Sequence, residues 1–156
     1  MEKSNGCRDT EFVLRICVSD YPMSSDQLTE LLGLAPTRSH NKGDFLRPGH
    51  FRKRSTWTKD SVSRGSLVMS AHILRFLDAM GPLPERLKQL VGQCKISVTC
   101  HINDYGRGYV IYCESTLVQR LAELNASLEV VVHKGDDDAE APLTGSIGLG
   151  FVPEPD

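Results

Sequence analysis

The chain has 156 residues, of which 40% are hydrophobic and 24% are charged, and its formal net charge is −2. This length and composition predict one globular domain with its own core, and the near-balance of charge excludes a strongly basic nucleic-acid-binding protein. No apolar run has the length of a membrane span, and no secretory leader is recognisable. The five cysteines are odd in number and lack Cys-x-x-Cys spacing, which favours a reducing, cytoplasmic setting.

The charge is unevenly distributed along the chain. Eight basic residues and two acids lie between positions 38 and 64, whereas seven acids and one lysine lie between positions 129 and 156. The basic residues of the first stretch are Arg38, Lys42, Arg47, Arg52, Lys53, Arg54, Lys59 and Arg64. The sequence therefore combines a basic middle segment with an acidic end.

The first elements are a strand and a short helix. Residues 11–18 alternate between apolar and other side chains, which predicts a strand with one buried face. Ser24 and Gln27 have the spacing of a capping box, so a helix is expected to begin there. Gly33 is expected to end that helix in the left-handed conformation, and Pro36 prevents the helix from restarting.

The stretch 31–44, LLGLAPTRSHNKGD, raises the question of a phosphate-binding loop. Such a loop leads from a strand into a helix, whose N-terminus faces the anion. This stretch is predicted to leave a helix and enter a strand, and its Lys42 precedes Gly43 instead of following it. We therefore expect the segment to turn the chain, with a tight turn at NKGD.

The middle of the chain predicts a strand followed by two helices. Residues 51–58 are interpreted as a strand whose large apolar anchor is Trp57, packed against the next helix. That helix is predicted over residues 66–80 from its apolar face, and Gly81-Pro82 ends it. Pro84 and Gly92 frame a second, shorter helix.

The remaining elements predict a hairpin, a helix and a last strand. Residues 95–102 and 109–114 are interpreted as the hairpin strands, joined by the turn-rich NDYGRG. A helix is then expected from Ser115 to Asn125, followed by a strand over 128–133.

The order of elements predicts an α+β domain with a mostly antiparallel sheet and its helices packed on one face, partly ferredoxin-like. We place this domain at residues 11–133. Residues 134–156 form an acidic tail rich in Gly and Pro, which is expected to be mobile. Within the tail, residues 143–151 alternate, so they can pair with a sheet edge of this protein, of a second copy or of another protein.

No linear motif for catalysis or metal binding stands out. Cys94, Cys100, His101 and Cys113 suggest zinc ligands at first sight. The predicted hairpin, however, places both Cys100 and Cys113 on the apolar face and His101 on the other, so core packing is favoured. His72 is expected to be a packed or rim histidine. We expect no catalytic residue, no metal and no cofactor.

The basic segment has two interpretations. In the first, arginine and lysine protect an edge strand from pairing with other sheets. In the second, Arg52, Lys53, Arg54 and Trp57 bind an anion or a nucleic-acid base, with Phe51 available for stacking. At the acidic end, the candidate partner-binding residues are Asp136, Asp137, Asp138 and Phe151.

The sequence also resembles a known family. The run from Leu31 to Thr37, the Lys42-Gly43 turn, Trp57 and the closing helix from Leu121 to Leu124 are similar in order and spacing to the bacterial domain-of-unknown-function family 4279. The resemblance covers about residues 11–133. It implies a small cytoplasmic α+β domain and supplies no catalytic residues, and the acidic tail departs from the family's pattern.

The leading functional hypothesis is a non-enzymatic protein-binding module. Its most concrete form is an immunity-like protein that occludes the surface of a partner such as a toxin, because a small domain with oppositely charged segments suits electrostatically steered association. The alternatives are an anion or nucleic-acid binder that uses residues 47–59, and a small-molecule enzyme without a linear motif. No membrane partner is expected, nucleic acid is the less favoured partner, and the oligomeric state stays open.

Overall fold

A computed structural model describes residues 8–135 and the backbone of residues 146–149. The elements in chain order are β1 (Glu11–Ser19), α1 (Ser25–Leu32), β2 (Arg38–His40), β3 (Phe45–Arg47), β4 (His50–Phe51), β5 (Thr56–Ser63), α2 (Met69–Ala79), α3 (Leu83–Lys88), β6 (Lys95–Asp104), α4 (Ser115–Glu123), β7 (Ala126–Lys134) and β8 (Ser146–Leu149).

Within these residues, six strands form one sheet in the order β2-β5-β1-β6-β7-β8, and β3 pairs with β4 in a separate ribbon. Neighbouring strands of the large sheet are antiparallel, except for β6 and β7, which are parallel. A parallel pair needs a crossover, and α4 provides it. The predicted α+β class with a mostly antiparallel sheet is confirmed.

One face of the sheet carries the apolar core. Buried and half-buried residues alternate along β1 and along most of β6. The buried side chains of both strands join those of the helices in one cluster, which includes Phe12, Ile16, Ile73 and Leu117. The other face holds half-exposed polar residues such as Arg15 and His101. The helices therefore cover only one side of the sheet.

The start and end of α1 follow the sequence closely. The Ser24 hydroxyl accepts a hydrogen bond from the Gln27 backbone N–H at 3.2 Å, and the Gln27 side chain accepts one from the Ser24 N–H at 3.0 Å. Gly33 ends the helix with φ at +68°, a left-handed conformation that costs glycine little. The predicted capping box and glycine C-cap are both confirmed.

The predicted 95–114 hairpin is wrong. The edges of β6 are occupied by β1 and β7, so residues 109–114 have no edge of β6 to pair with. Val110 instead bridges to the segment before α2: its N–H donates to the Leu67 carbonyl at 2.7 Å, and its carbonyl accepts from the Met69 N–H at 3.0 Å. Cys113 thus lies outside any strand, although it still packs against the core.

The predicted 51–58 strand is also wrong in its extent. Phe51 ends β4, residues 52–55 lie outside the strands, and β5 begins only at Thr56. The short strands β2 and β3 were not predicted. Trp57 is fully buried as expected, in the same core cluster as the buried residues of α2. Its indole N–H donates to the Thr29 hydroxyl of α1 at 3.1 Å.

Part of the tail is described. The backbone of β8 pairs antiparallel with residues Leu128 to Val131 of β7, so this segment lies on an edge of the protein's own sheet. The candidate partner-binding residues Asp136, Asp137, Asp138 and Phe151 lie outside the described residues. Mobility of the tail stays a prediction.

Candidate functional site

Residues 41–54 form a β-hairpin that extends beyond the large sheet, and we call it the 41–54 hairpin. Its base continues the β2–β5 ladder, in which His40 pairs with Thr56. Asn41 anchors one side, because its side-chain carbonyl accepts a hydrogen bond from the Ser25 N–H at 2.8 Å. The Lys42 N–H donates to the Ser55 hydroxyl at 2.9 Å and ties the two sides together. The hairpin is therefore held at its base by both the sheet and α1.

The tip of the hairpin is made by the sequence Arg47-Pro48-Gly49-His50. Proline fixes φ at the second position of this turn, and Gly49 takes a φ of +75° at the third, which fits a type II turn. Arg47 and His50 close the two strands around it. This turn signal was present in the sequence, and it could have revealed the hairpin.

The hairpin displays apolar side chains to solvent. Phe45 and Phe51 pair across the strands with their ring centroids 6.1 Å apart and their planes at 73°. Phe45 is 66% exposed, Phe51 is 59% exposed, and the adjacent Leu46 is 48% exposed. The two rings form an exposed apolar pair, and Leu46 adds a third exposed apolar side chain to the strand of Phe45. Exposed apolar groups of this kind can mark an interaction site.

Cations surround this apolar tip. Five basic residues and the single acid Asp44 lie in positions 41–54. Arg54 approaches Asp20 at 4.0 Å, whereas Arg47, Arg52 and Lys53 make no ion pair within residues 8–135. Burial, and then the nearby Arg52 guanidinium, lower the pKa of His40 at the hairpin base. The tip therefore presents a net positive, partly apolar surface.

The predicted ligand-binding residues separate into two groups. Arg52, Lys53 and Arg54 are exposed together on the hairpin. Trp57 lies in the core with no exposed surface, so its indole has no face available for a ligand. The aromatic side chains that accompany the cations are Phe51, which was considered for stacking, and Phe45, which sequence reasoning missed.

The open face of the sheet is a second polar surface. The Arg15 guanidinium binds the Asp60 carboxylate with two hydrogen bonds, at 2.7 and 2.9 Å, across β1 and β5. Arg38 of β2 reaches the same carboxylate at 3.5 Å. These arginines, Arg15 first, hold the pKa of Asp60 below its ordinary value despite partial burial. The cluster ties three strands together, with Asp60 bound by both arginines.

A buried histidine connects β5 to α2. His72 stacks on Phe12, and its Nδ1 lies 2.6 Å from the Ser63 hydroxyl while its Nε2 lies 2.7 Å from the Ser66 carbonyl. Because a carbonyl oxygen only accepts, Nε2 carries a hydrogen and donates it to Ser66, while Nδ1 and the Ser63 hydroxyl share the other hydrogen bond. The imidazole is fully buried. His72 is packed as predicted, and both of its ring nitrogens are used to join two elements.

The cysteine thiols described by the structure are unpaired and differ in burial. Cys100 is buried in the core, where desolvation raises the pKa of its thiol to about 12. Cys17, Cys94 and Cys113 are half-buried, and burial raises the pKa of each thiol. Among residues 8–135, no group of three or more His, Cys, Asp or Glu side chains is placed to hold a metal ion.

The fold and the hairpin define a small α+β domain that carries a basic, aromatic-tipped ribbon at one sheet edge. The family model described as domain of unknown function (DUF4279) matches residues 9–134, and the chain belongs to that family. No curated protein matches the chain, and no solved structure matches it. In the part of the chain that the structure covers, none of the helices has the length and hydropathy to cross a bilayer.

Proposed function

We propose that this protein is a non-enzymatic binding module that docks on a protein partner through the 41–54 hairpin. The observation that carries the proposal is the exposed pair of Phe45 and Phe51 on a rigidly anchored ribbon. The complementary partner surface has an apolar pocket for these two rings and an acidic rim for the surrounding cations. An immunity-like role, in which the module occludes a partner's working surface in the cytoplasm, is the specific form we favour.

Three features favour a protein partner over a nucleic acid. Interface cores of protein complexes are enriched in aromatic residues and arginine, and this tip supplies both. Leu46 adds aliphatic surface, which fits an apolar pocket and offers nothing to a stacked base. The edge-to-face arrangement of Phe45 and Phe51 also directs the edge of one ring at the other, so the two rings do not form parallel platforms for consecutive bases.

Electrostatics would set the rate of association. Positive charge around the tip attracts an acidic surface and raises the association rate, most strongly at low salt. The apolar rings would then supply the short-range contact that slows dissociation. Two kinds of substitution therefore separate the two contributions: neutralising Arg52 mainly slows association, whereas truncating Phe51 mainly speeds dissociation.

The test begins with tagged wild-type protein, Phe51→Ser and the control Val62→Ser used as baits in nuclease-treated lysate of the native host. Val62 is 58% exposed on the open face of the sheet, so it matches Phe51 in exposure but lies outside the hairpin. A protein captured by the wild type is then purified and titrated against all three. We expect Phe51→Ser to weaken its affinity about 30-fold or more, the loss typical of a central anchor residue, and Val62→Ser to leave it unchanged.

Two outcomes would overturn the proposal. Equal binding by wild type and Phe51→Ser would show that the hairpin is not the docking element. A parallel capture from untreated lysate that finds a partner, where the nuclease-treated lysate gives none, would show that the partner is a nucleic acid.

The second candidate function is single-stranded nucleic-acid binding, which the adjacent exposed cations Arg52, Lys53 and Arg54 favour. Fluorescence anisotropy with a labelled oligouridine tests it directly. Retained sub-micromolar affinity at physiological salt, with a salt slope that falls when Arg52 and Arg54 are neutralised, would support this candidate over a protein partner.

A further inference from the structure

Two histidines meet on the open face of the sheet. His101 of β6 and His133 of β7 lie on the parallel pair of strands, and Nδ1 of His101 is 3.1 Å from Nε2 of His133. Their ring planes are inclined by only 7°, and the ring centroids are 5.4 Å apart. The centroid distance exceeds the nitrogen–nitrogen distance by about the combined radii of the two rings. The imidazoles therefore lie edge to edge, with the two nitrogens facing each other.

This arrangement holds one hydrogen between the two rings. When both imidazoles are neutral, one of the facing nitrogens carries the hydrogen and donates it to the lone pair of the other. Burial, His133 and Arg15 lower the pKa of His101, while Glu129 and Asp60 oppose them. Neutral imidazole is the form of histidine that binds metal ions.

The separation of the two nitrogens also suits a shared metal ion. Imidazole nitrogens bind Zn²⁺ at about 2.0–2.1 Å, so two of them at a tetrahedral angle lie about 3.3 Å apart. The observed 3.1 Å is close to this separation. The two lone pairs face each other along one line, so both rings must tilt for the lone pairs to meet at an ion beside that line, and χ2 of histidine is a soft torsion that allows such a tilt. Paired strands fix the two backbones, so the ligands are pre-positioned.

We propose that His101 and His133 form a two-histidine chelate for a divalent transition metal of the Zn²⁺, Ni²⁺ or Cu²⁺ class, ions that favour imidazole ligands. Binding requires the shared hydrogen to move to an outer ring nitrogen, so the neutral pair gains the ion without releasing a proton. The ion completes its coordination with water, because these side chains are only half-buried on a face that the helices do not cover. The positive charge of Arg15 is balanced by its ion pair with Asp60.

The inference is independent of the 41–54 hairpin and of any partner protein. The two ligands are 32 positions apart and belong to different strands, so no linear spacing in the sequence indicates them. The register between β6 and β7, not a local motif, brings them together.

Titration of metal-free protein with ZnCl₂ or NiCl₂, followed by competition with a chromophoric chelator, tests the proposal. We expect one ion per chain and a loss of affinity of roughly tenfold or more in both His101→Gln and His133→Gln. The double variant should bind no more weakly than either single variant, because one remaining imidazole no longer chelates. His50→Gln, which removes the exposed histidine at the hairpin tip, is the matched control and should bind like the wild type.

A spectroscopic measurement on the wild type keeps the test valid if a variant fails to fold. On adding Zn²⁺, the ¹⁵N resonances of His101 Nδ1 and His133 Nε2 should both move to metal-bound positions. The proposal is overturned if these resonances stay in place, or if the two single substitutions have independent, additive effects. An equal loss in His50→Gln would also overturn it, since all of these outcomes indicate adventitious binding to individual surface histidines.

Discussion

Trp57 and Phe51 lie close together in the sequence, yet they differ in their exposure to solvent. Trp57 has no exposed surface, whereas Phe51 is 59% exposed. The difference arises where the chain enters the large sheet: Trp57 lies on β5 opposite Val18 and on the face that the helices cover, whereas Phe51 lies on β4, outside that sheet. Burial in the core makes Trp57 a residue that stabilises the fold, whereas the exposure of Phe51 is the observation on which we base the proposed docking role.

The largest expected effect on stability comes from Trp57, the buried residue of this pair. Trp57→Ala removes a fully buried indole from the middle of the core, and we expect it to lower the free energy of unfolding by about 3–5 kcal/mol. Urea denaturation followed by circular dichroism measures this loss. A change below about 1 kcal/mol would contradict the burial of Trp57, because surface substitutions rarely exceed that size.

The next largest effect on stability concerns the hydrogen bond of the Trp57 indole N–H. Thr29→Val keeps the shape of residue 29 but removes the hydroxyl that accepts the indole hydrogen bond. The Trp57 N–H then has no partner in a buried position, and we expect a loss of about 1–3 kcal/mol. Thr29→Ser retains the hydroxyl and is the matched control. A loss in Thr29→Ser as large as that in Thr29→Val would contradict this assignment, because Thr29→Ser removes only the methyl group and keeps the hydroxyl that accepts the bond.

The fold class could be predicted because its signals are local. Alternation over residues 11–18 and 95–102 marked the two central strands, and the Ser24–Gln27 pair with Gly33 set the limits of α1. Each signal depends on residues within a few positions of one another. Backbone geometry and the burial of one face determine such patterns directly.

Strand pairing could not be predicted in the same way. Residues 109–114 look like the return strand of a hairpin, but β6 pairs with β7 instead, across the α4 crossover. Segments that are distant in sequence compete for each edge of a strand. The local sequence therefore does not determine which of them pairs there. The proximity of His101 and His133 also depends on this pairing, so local sequence does not predict it. The Phe45–Phe51 pair differs, because the Pro48-Gly49 turn between the two residues is a local signal for a hairpin.

A smaller effect on stability, dependent on pH, is expected from His101 on the open face of the sheet. This face is intermediate in burial between the core and the hairpin. The pKa of His101 is lowered in the folded protein, so the unfolded chain binds more protons in the acidic range. The contribution of neutral His101 to the free energy of unfolding is therefore fully present above the ordinary histidine pKa of about 6.5. This contribution decreases as the pH falls below that value. Unfolding free energies between pH 7.5 and 5 should show this decrease.

His101→Gln is the variant that assigns this pH dependence. The pKa of His40 is also lowered by burial and by Arg52, so part of the decrease should persist in the variant. We expect a shallower slope in His101→Gln than in the wild type. A wild-type slope that is retained in His101→Gln would exclude this residue as a source.

The smallest effect on stability is expected from the two exposed phenylalanines of the hairpin. Phe45→Ser and Phe51→Ser remove rings that contact each other at the hairpin tip and lie 66% and 59% exposed. Solvent already surrounds most of both rings, so each substitution should change the free energy of unfolding by only about 0.5 kcal/mol or less. The hairpin backbone should persist, because its base is held by Asn41, Lys42 and the Pro48-Gly49 turn. Denaturation of both variants beside Trp57→Ala measures the contrast. A loss above about 2 kcal/mol in either variant would mean that the rings support the fold, and the reason for assigning them to binding would disappear.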